Sequence, residues 1–147
     1  MNMINVSDEH FMRIALRQAN AAIGAGDVPV GAVITHNGQL IAQAHNQVEL
    51  LKDPTAHAEM IAITQAASAI GDWRLLETTL YVTKEPCRMC SGAITHARIP
   101  RVVFGAKDPD NAGPLPAAKE VIQGLMEEEC KEILVNFFRE LRKKAQE

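Results

Sequence analysis

Near the start of the chain, apolar side chains fall at Met12, Ala15, Leu16, Ala19 and Ile23, the spacing that lines one face of a helix. Ser7 is a suitable cap, Asp8 and Glu9 suit the positive end of the helix dipole, and Gly24 and Gly26 stop the helix. The pattern then changes. In VPVGAVITHNGQLIAQAHN (residues 28–46) the dipeptide Asn37-Gly38 separates two runs of strand character, which predicts an antiparallel hairpin. Alanine-rich helical periodicity predicts a second helix from Ala56 to about Ile70, TTLYVT (78–83) a strand, Met89 to Ala97 a third helix, and RVVFGA (101–106) another strand. The turn chemistry of PDNAGPLP (109–116) predicts a loop beside the sheet. A short strand over Lys119 to Ile122 follows, and Gly124 breaks it from a terminal helix running from about Met126 to Lys144. On that helix Met126, Cys130, Leu134 and Phe138 form one row, and Ile133, Phe137 and Leu141 its neighbour. Strands alternating with helices imply an α/β layer fold with parallel pairing after the hairpin.

Composition narrows the class. A chain of 147 residues, with no repeat or linker, reads as one domain over 1–147, and 47% hydrophobic with 22% charged residues is a globular balance. No apolar run is long enough for a membrane span, and MNMINVSDEH carries no export pattern, so the expected setting is a reducing cytoplasm. A net charge of -3 argues against a sequence-independent nucleic-acid coat, while leaving room for a local basic patch.

The chemistry concentrates in EPCRMCSG (85–92). Two cysteines separated by two residues serve a disulfide, a redox pair, a structural metal clip or a catalytic metal site, and the reducing setting counts against the first. When a helix starts between them, both thiolates reach one ion, and the helix dipole favours their negative charge. Upstream, TAHAEM offers His57 as a nitrogen ligand and Glu59 beside it. Cys130 sits on the apolar row of the terminal helix and reads as a packing residue, while His36, His45 and His96 lack ligand spacing. No fourth side-chain ligand stands out. Three ligands and an open position are the catalytic zinc pattern, in which a water's pKa falls from 15.7 to roughly 7. Glu59 is then free to carry protons beside that water.

HAE followed by PCRMC resembles the signature of the zinc-dependent cytidine and adenosine deaminases. VPVGAV, HN, DPTAHAEM, LYVTKEPCRMCSGAI, RVVFGA and FFRELR, in that order, are most similar to the bacterial tRNA-specific adenosine deaminase family. The resemblance implies a three-layer α/β/α cytidine-deaminase-like fold with a mixed five-stranded sheet, one zinc ion per subunit, a homodimer, and conversion of adenosine to inosine at the wobble position of a tRNA anticodon stem-loop. It assigns zinc to His57, Cys87 and Cys90 and the proton shuttle to Glu59. It places the Asn46 amide and the Ala58 N–H against the base, Val28 and Val30 in the apolar wall, and Asp108 near the substrate loop. A flipped base needs contacts that offset its unstacking. Phe137 and Phe138, followed by Arg139, Arg142, Lys143 and Lys144, combine aromatic faces with cations for that purpose, although the same residues also suit helix packing and the helix dipole. This chain is shorter than the family between FGAKD and the terminal helix, and Lys84 and Arg88 depart from its pattern. A deaminase of a free nucleobase or nucleoside, such as guanine or cytosine, and a non-catalytic zinc-containing RNA-binding protein are therefore alternatives.

Overall fold

A computed structural model describes residues 6–110 and 113–146. Ten elements follow one another: α1 (Val6–Ile23), β1 (Gly31–His36), β2 (Gln39–His45), α2 (Val48–Leu51), α3 (Ala58–Ile70), β3 (Thr78–Lys84), α4 (Arg88–His96), β4 (Arg101–Ala106), β5 (Glu120–Gln123) and α5 (Glu127–Ala145). The five strands form one mixed sheet in the order β2-β1-β3-β4-β5. The hairpin and the β1–β3 pair are antiparallel, whereas β3–β4 and β4–β5 are parallel. Helices α1 and α5 cover one face and α3 with α4 the other, which gives the three α/β/α layers that the resemblance implies.

The hairpin turns on Asn37 and Gly38, both at positive φ (52° and 81°), as a two-residue turn between twisted strands requires. Strand β1 lies almost wholly buried because α1 crosses it closely. A Cβ at Gly31 would run into the Ala15 carbonyl, so glycine is what lets helix and strand approach. The sheet interior is filled by Val33, Ile34, Leu80, Val82, Val102 and Phe104, all without exposed surface.

Several boundaries differ from the sequence expectation. Ser7 lies inside α1, one residue past its start, and so does not stand at the cap position. Asp8 does more than face a dipole. It is 1% exposed, receives Nη1 and Nη2 of Arg101 at 2.9 Å each and the Tyr81 hydroxyl at 2.7 Å, and so ties α1 to β3 and β4. Helix α3 begins at Ala58, two residues after the expected start, because Ala56 and His57 are still in extended or turn backbone. Helix α2 was not foreseen: four residues are too few to show a period. It exists because the buried Asp27 carboxylate accepts the N–H groups of Glu49 (2.7 Å) and Leu50 (3.2 Å).

Candidate active and metal site

The parallel strand β3 ends at Lys84, and the chain turns through Glu85 and Pro86 into α4. Crevices outside the carboxyl ends of parallel strands are the usual ligand sites of α/β sheets. Here the first turns of two helices converge on that crevice. His57 occupies the N-cap position of α3 and Cys87 that of α4, both with extended backbone, and neither side chain caps its own helix. They turn toward each other instead. Cys87 Sγ lies 3.6 Å and Cys90 Sγ 3.5 Å from His57 Nδ1, and one ligand atom from each residue falls within 4.8 Å of the others.

The donor set suits a soft divalent cation. Burial, together with the nearby Glu59 and Cys87, pushes the Cys90 thiol far up, opposite to the lowering expected from a helix start. An anionic sulfur in that position therefore calls for a positive partner, and His57, whose pKa is lowered first by burial and then by Lys84, is not the cation that meets this need. A metal ion does. Cys130 stays apart from the group. It packs fully buried on α5 against Gly105, where a Cβ would strike its Sγ, and burial pushes its thiol up to about 12.

Glu59 stands in the first turn of α3 and is 3% exposed, close to Cys90. Desolvation raises its carboxyl from the ordinary 4.5 to about 7, against the lowering effects of its own backbone N–H, of Cys90 and of Lys84. An acid near neutrality can both accept and donate a proton at physiological pH. It lines a cavity of about 420 Å³ together with His57, Cys87, Asn46, Val28 and Val30.

The other expected contacts divide. Val30 lines the cavity, and its carbonyl accepts the Asn46 N–H at 3.1 Å. Asn46 does more than close a turn: its Oδ1 accepts the Ala58 N–H at 2.8 Å. The expectation that Ala58 offers this N–H to a base edge is thereby corrected, since the donor is already engaged in a buried bond. Phe138 is 38% exposed and lines the cavity, with Phe137 and Leu141 beside it, so these three leave the packing rows that Cys130 and Leu134 continue. Asp108 pairs with Lys84 at 3.4 Å and lines a neighbouring groove, as does Arg142. Arg139 lines neither the cavity nor the groove and instead bonds Asn136 on its own helix. Asp27, Val48 and Glu49 line the cavity without any motif to announce them. Removing the Asn46 side chain strands the buried Ala58 N–H, so Asn46→Ala is expected to lose about 1–3 kcal/mol of stability in urea unfolding. An unchanged midpoint would show that the bond matters little.

With this geometry in hand, comparison with known proteins decides the family. The MafB19-like deaminase description matches residues 6–142. The chain belongs to that deaminase family. It is similar to the tRNA-specific adenosine deaminase of Bacillus subtilis (strain 168), at 47% identity over 93% of this chain and 92% of that protein. A structure solved in a study of A-to-I editing by tRNA:A34 deaminases shares 42% identity over 85% of this chain and 99% of its own, with a TM-score of 0.79. A guanine deaminase structure from Bacillus subtilis shares 40% identity over 74% of this chain and 69% of its own, with a TM-score of 0.66. The deaminase thus keeps its two-helix donor group within a framework common to RNA-editing and free-base enzymes. Among the described residues, no helix is long and apolar enough to cross a membrane.

Proposed function

We propose that this deaminase hydrolyses adenosine to inosine at the wobble position of a tRNA anticodon, as a single zinc-dependent domain over residues 1–147. The observation that carries the reading is the buried Glu59 carboxyl beside the His57, Cys87 and Cys90 group, in a cavity also lined by Phe137 and Phe138. The similarity to tRNA-specific adenosine deaminases supports RNA as the substrate.

His57, Cys87 and Cys90 would hold zinc, which when bound supplies a nucleophilic water at neutral pH and Lewis acidity beside the base. Glu59 takes a proton from the attacking water and returns it to ring nitrogen N1 as the oxygen adds to C6. Glu59 then takes the remaining proton from the oxygen added at C6 and delivers it to the exocyclic nitrogen, so that C6=O forms as the C6–N bond breaks and ammonia leaves. Asn46, with Oδ1 occupied by Ala58, presents its Nδ2 to the ring, and Val28 and Val30 give the base an apolar surface. The same reading takes the protein as a cytoplasmic homodimer with one zinc per subunit.

A second reading, deamination of a free base, is favoured by the likeness to guanine deaminase. The purified protein is to be incubated with an anticodon stem-loop carrying a wobble adenosine and, in parallel, with guanine, adenine, cytosine and their nucleosides. Inosine in the RNA is the expected result. Ammonia released only from small molecules would replace the first reading by the second.

A further inference from the structure

The catalytic cavity and the neighbouring groove, about 830 Å³ in volume, share a wall formed by Lys84, Glu85 and Phe138. The charges on the two sides differ. Among the described residues lining the catalytic cavity, Lys84 is the sole lysine or arginine, facing the acids Asp27, Glu49, Glu59 and Glu85. On the groove side it is joined by Lys107, Lys131 and Arg142, with Glu85, Asp108, Asp110 and Glu127 as the acids. Lys84 therefore stands on the ridge between an acidic pocket and a surface that carries most of the local cations.

Its position is tethered from both ends. The backbone of Lys84 closes the β3 ladder opposite Ala106, and its Nζ lies 3.4 Å from Asp108 Oδ2, with the two side chains 31% and 22% exposed. Asp108 is itself anchored without Lys84, because its N–H donates to Glu85 Oε1 at 3.2 Å and its Oδ1 accepts the Asp110 N–H at 3.0 Å. Such a solvent-touching pair contributes little, so exchanging the carboxylate for another anion is energetically easy. Within an RNA strand, an adenosine whose base reaches His57 and Glu59 has a phosphate on each side, and a strand passing from the pocket toward the groove crosses this ridge.

We propose that Lys84 is a specificity-determining residue that grips a backbone phosphate of the RNA strand where it crosses from the cavity into the groove, with Asp108 holding the ammonium in place until the strand arrives. The proposal rests on the RNA reading above. Lysine is suited to the task as a compact charge that grips a phosphate without reading a base. Phe138, on the same ridge, offers its face to the adjoining base. The contact discriminates a nucleic acid from a free nucleobase, which has no phosphate to present.

The test uses the metal-loaded full chain and a stem-loop with a wobble adenosine, comparing the parent with Lys84→Met and Lys84→Arg over a series of salt concentrations. Lys84→Met is expected to raise KM on the order of tenfold, a larger change than that in kcat, and to flatten the slope of log kcat/KM against log salt by about 0.7. Lys84→Arg should recover most of both. Stem-loops with a neutral methylphosphonate at either phosphate flanking the adenosine provide a readout that needs no variant. One of the two should weaken the parent and leave Lys84→Met unaffected. A parent that edits the RNA while Lys84→Met keeps the same KM and slope, or while neither methylphosphonate is felt, overturns the role of Lys84 and leaves the RNA reading standing. A parent that edits no RNA removes both.

Discussion

Replacing Glu59 with glutamine is expected to lower turnover by about 10²–10⁴-fold, the usual share of a positioned acid–base group, while metal content per chain stays at the parental level. The amide matches the carboxyl in shape but can neither take the water's proton nor return it. A second consequence follows from burial. The Glu59 carboxyl has an ordinary value of 4.5 and rises to about 7 in the folded protein, so between those values the folded state keeps a proton that the unfolded chain has released. Stability of the metal-free protein therefore falls as pH rises through that window, and the whole cost is present above it. Glutamine has no charge to bury. Metal-free Glu59→Gln should accordingly resist urea better than the metal-free parent at pH 8, by about 3 kcal/mol, with the gap closing below pH 4.5. Steady-state rates, metal analysis and urea unfolding at the two pH extremes check these statements. A variant that turns over at the parental rate ends the assignment of Glu59.

The second large effect concerns the donor group. Cys87→Ser, or treatment of the parent with a strong chelator, is expected to remove the metal and bring activity to background. An ion held at the first turns of α3 and α4 would connect the two helices, so its loss would also loosen their junction. A ligand that binds only the folded state stabilises it by about 4 kcal/mol at a thousand times its dissociation constant, which sets the scale of the expected drop. Cys130→Ala is the internal comparison. Its thiol packs against Gly105 and stands outside the donor group, so metal content should be unaffected even if stability falls. Zinc content by atomic absorption and thermal unfolding with and without chelator give the answer. Metal retained by Cys87→Ser, or lost from Cys130→Ala, would reassign the ligands.

Much of the framework was legible because its signals are short-range. The Asn37-Gly38 turn, the row of small and apolar residues on α1, and the start of α4 between the two cysteines each depend on neighbours within a few positions. The group that could hold a metal was legible for the same reason: His57 and Cys87 mark the starts of helices, and chain direction there brings both to one crevice. Helix α2 escaped because its cap, Asp27, comes from a distant segment. The Ala58 N–H was misassigned because its partner, Asn46, becomes a neighbour only when the loop after β2 folds back against α3. The fates of Phe137 and Phe138 were equally undecidable along the chain, where a packing row and a cavity wall look alike.

By itself the sequence determined which side chains can bind a metal and move a proton, and the order of helices and strands that delivers them, since donor chemistry and local periodicity are properties of short segments. Only the tertiary structure decided that Glu59 is desolvated to near neutrality, that Asn46 is committed to Ala58, and that Lys84 stands between two cavities. Those outcomes depend on dielectric surroundings and on contacts between residues far apart in the chain, which are set by how the layers pack.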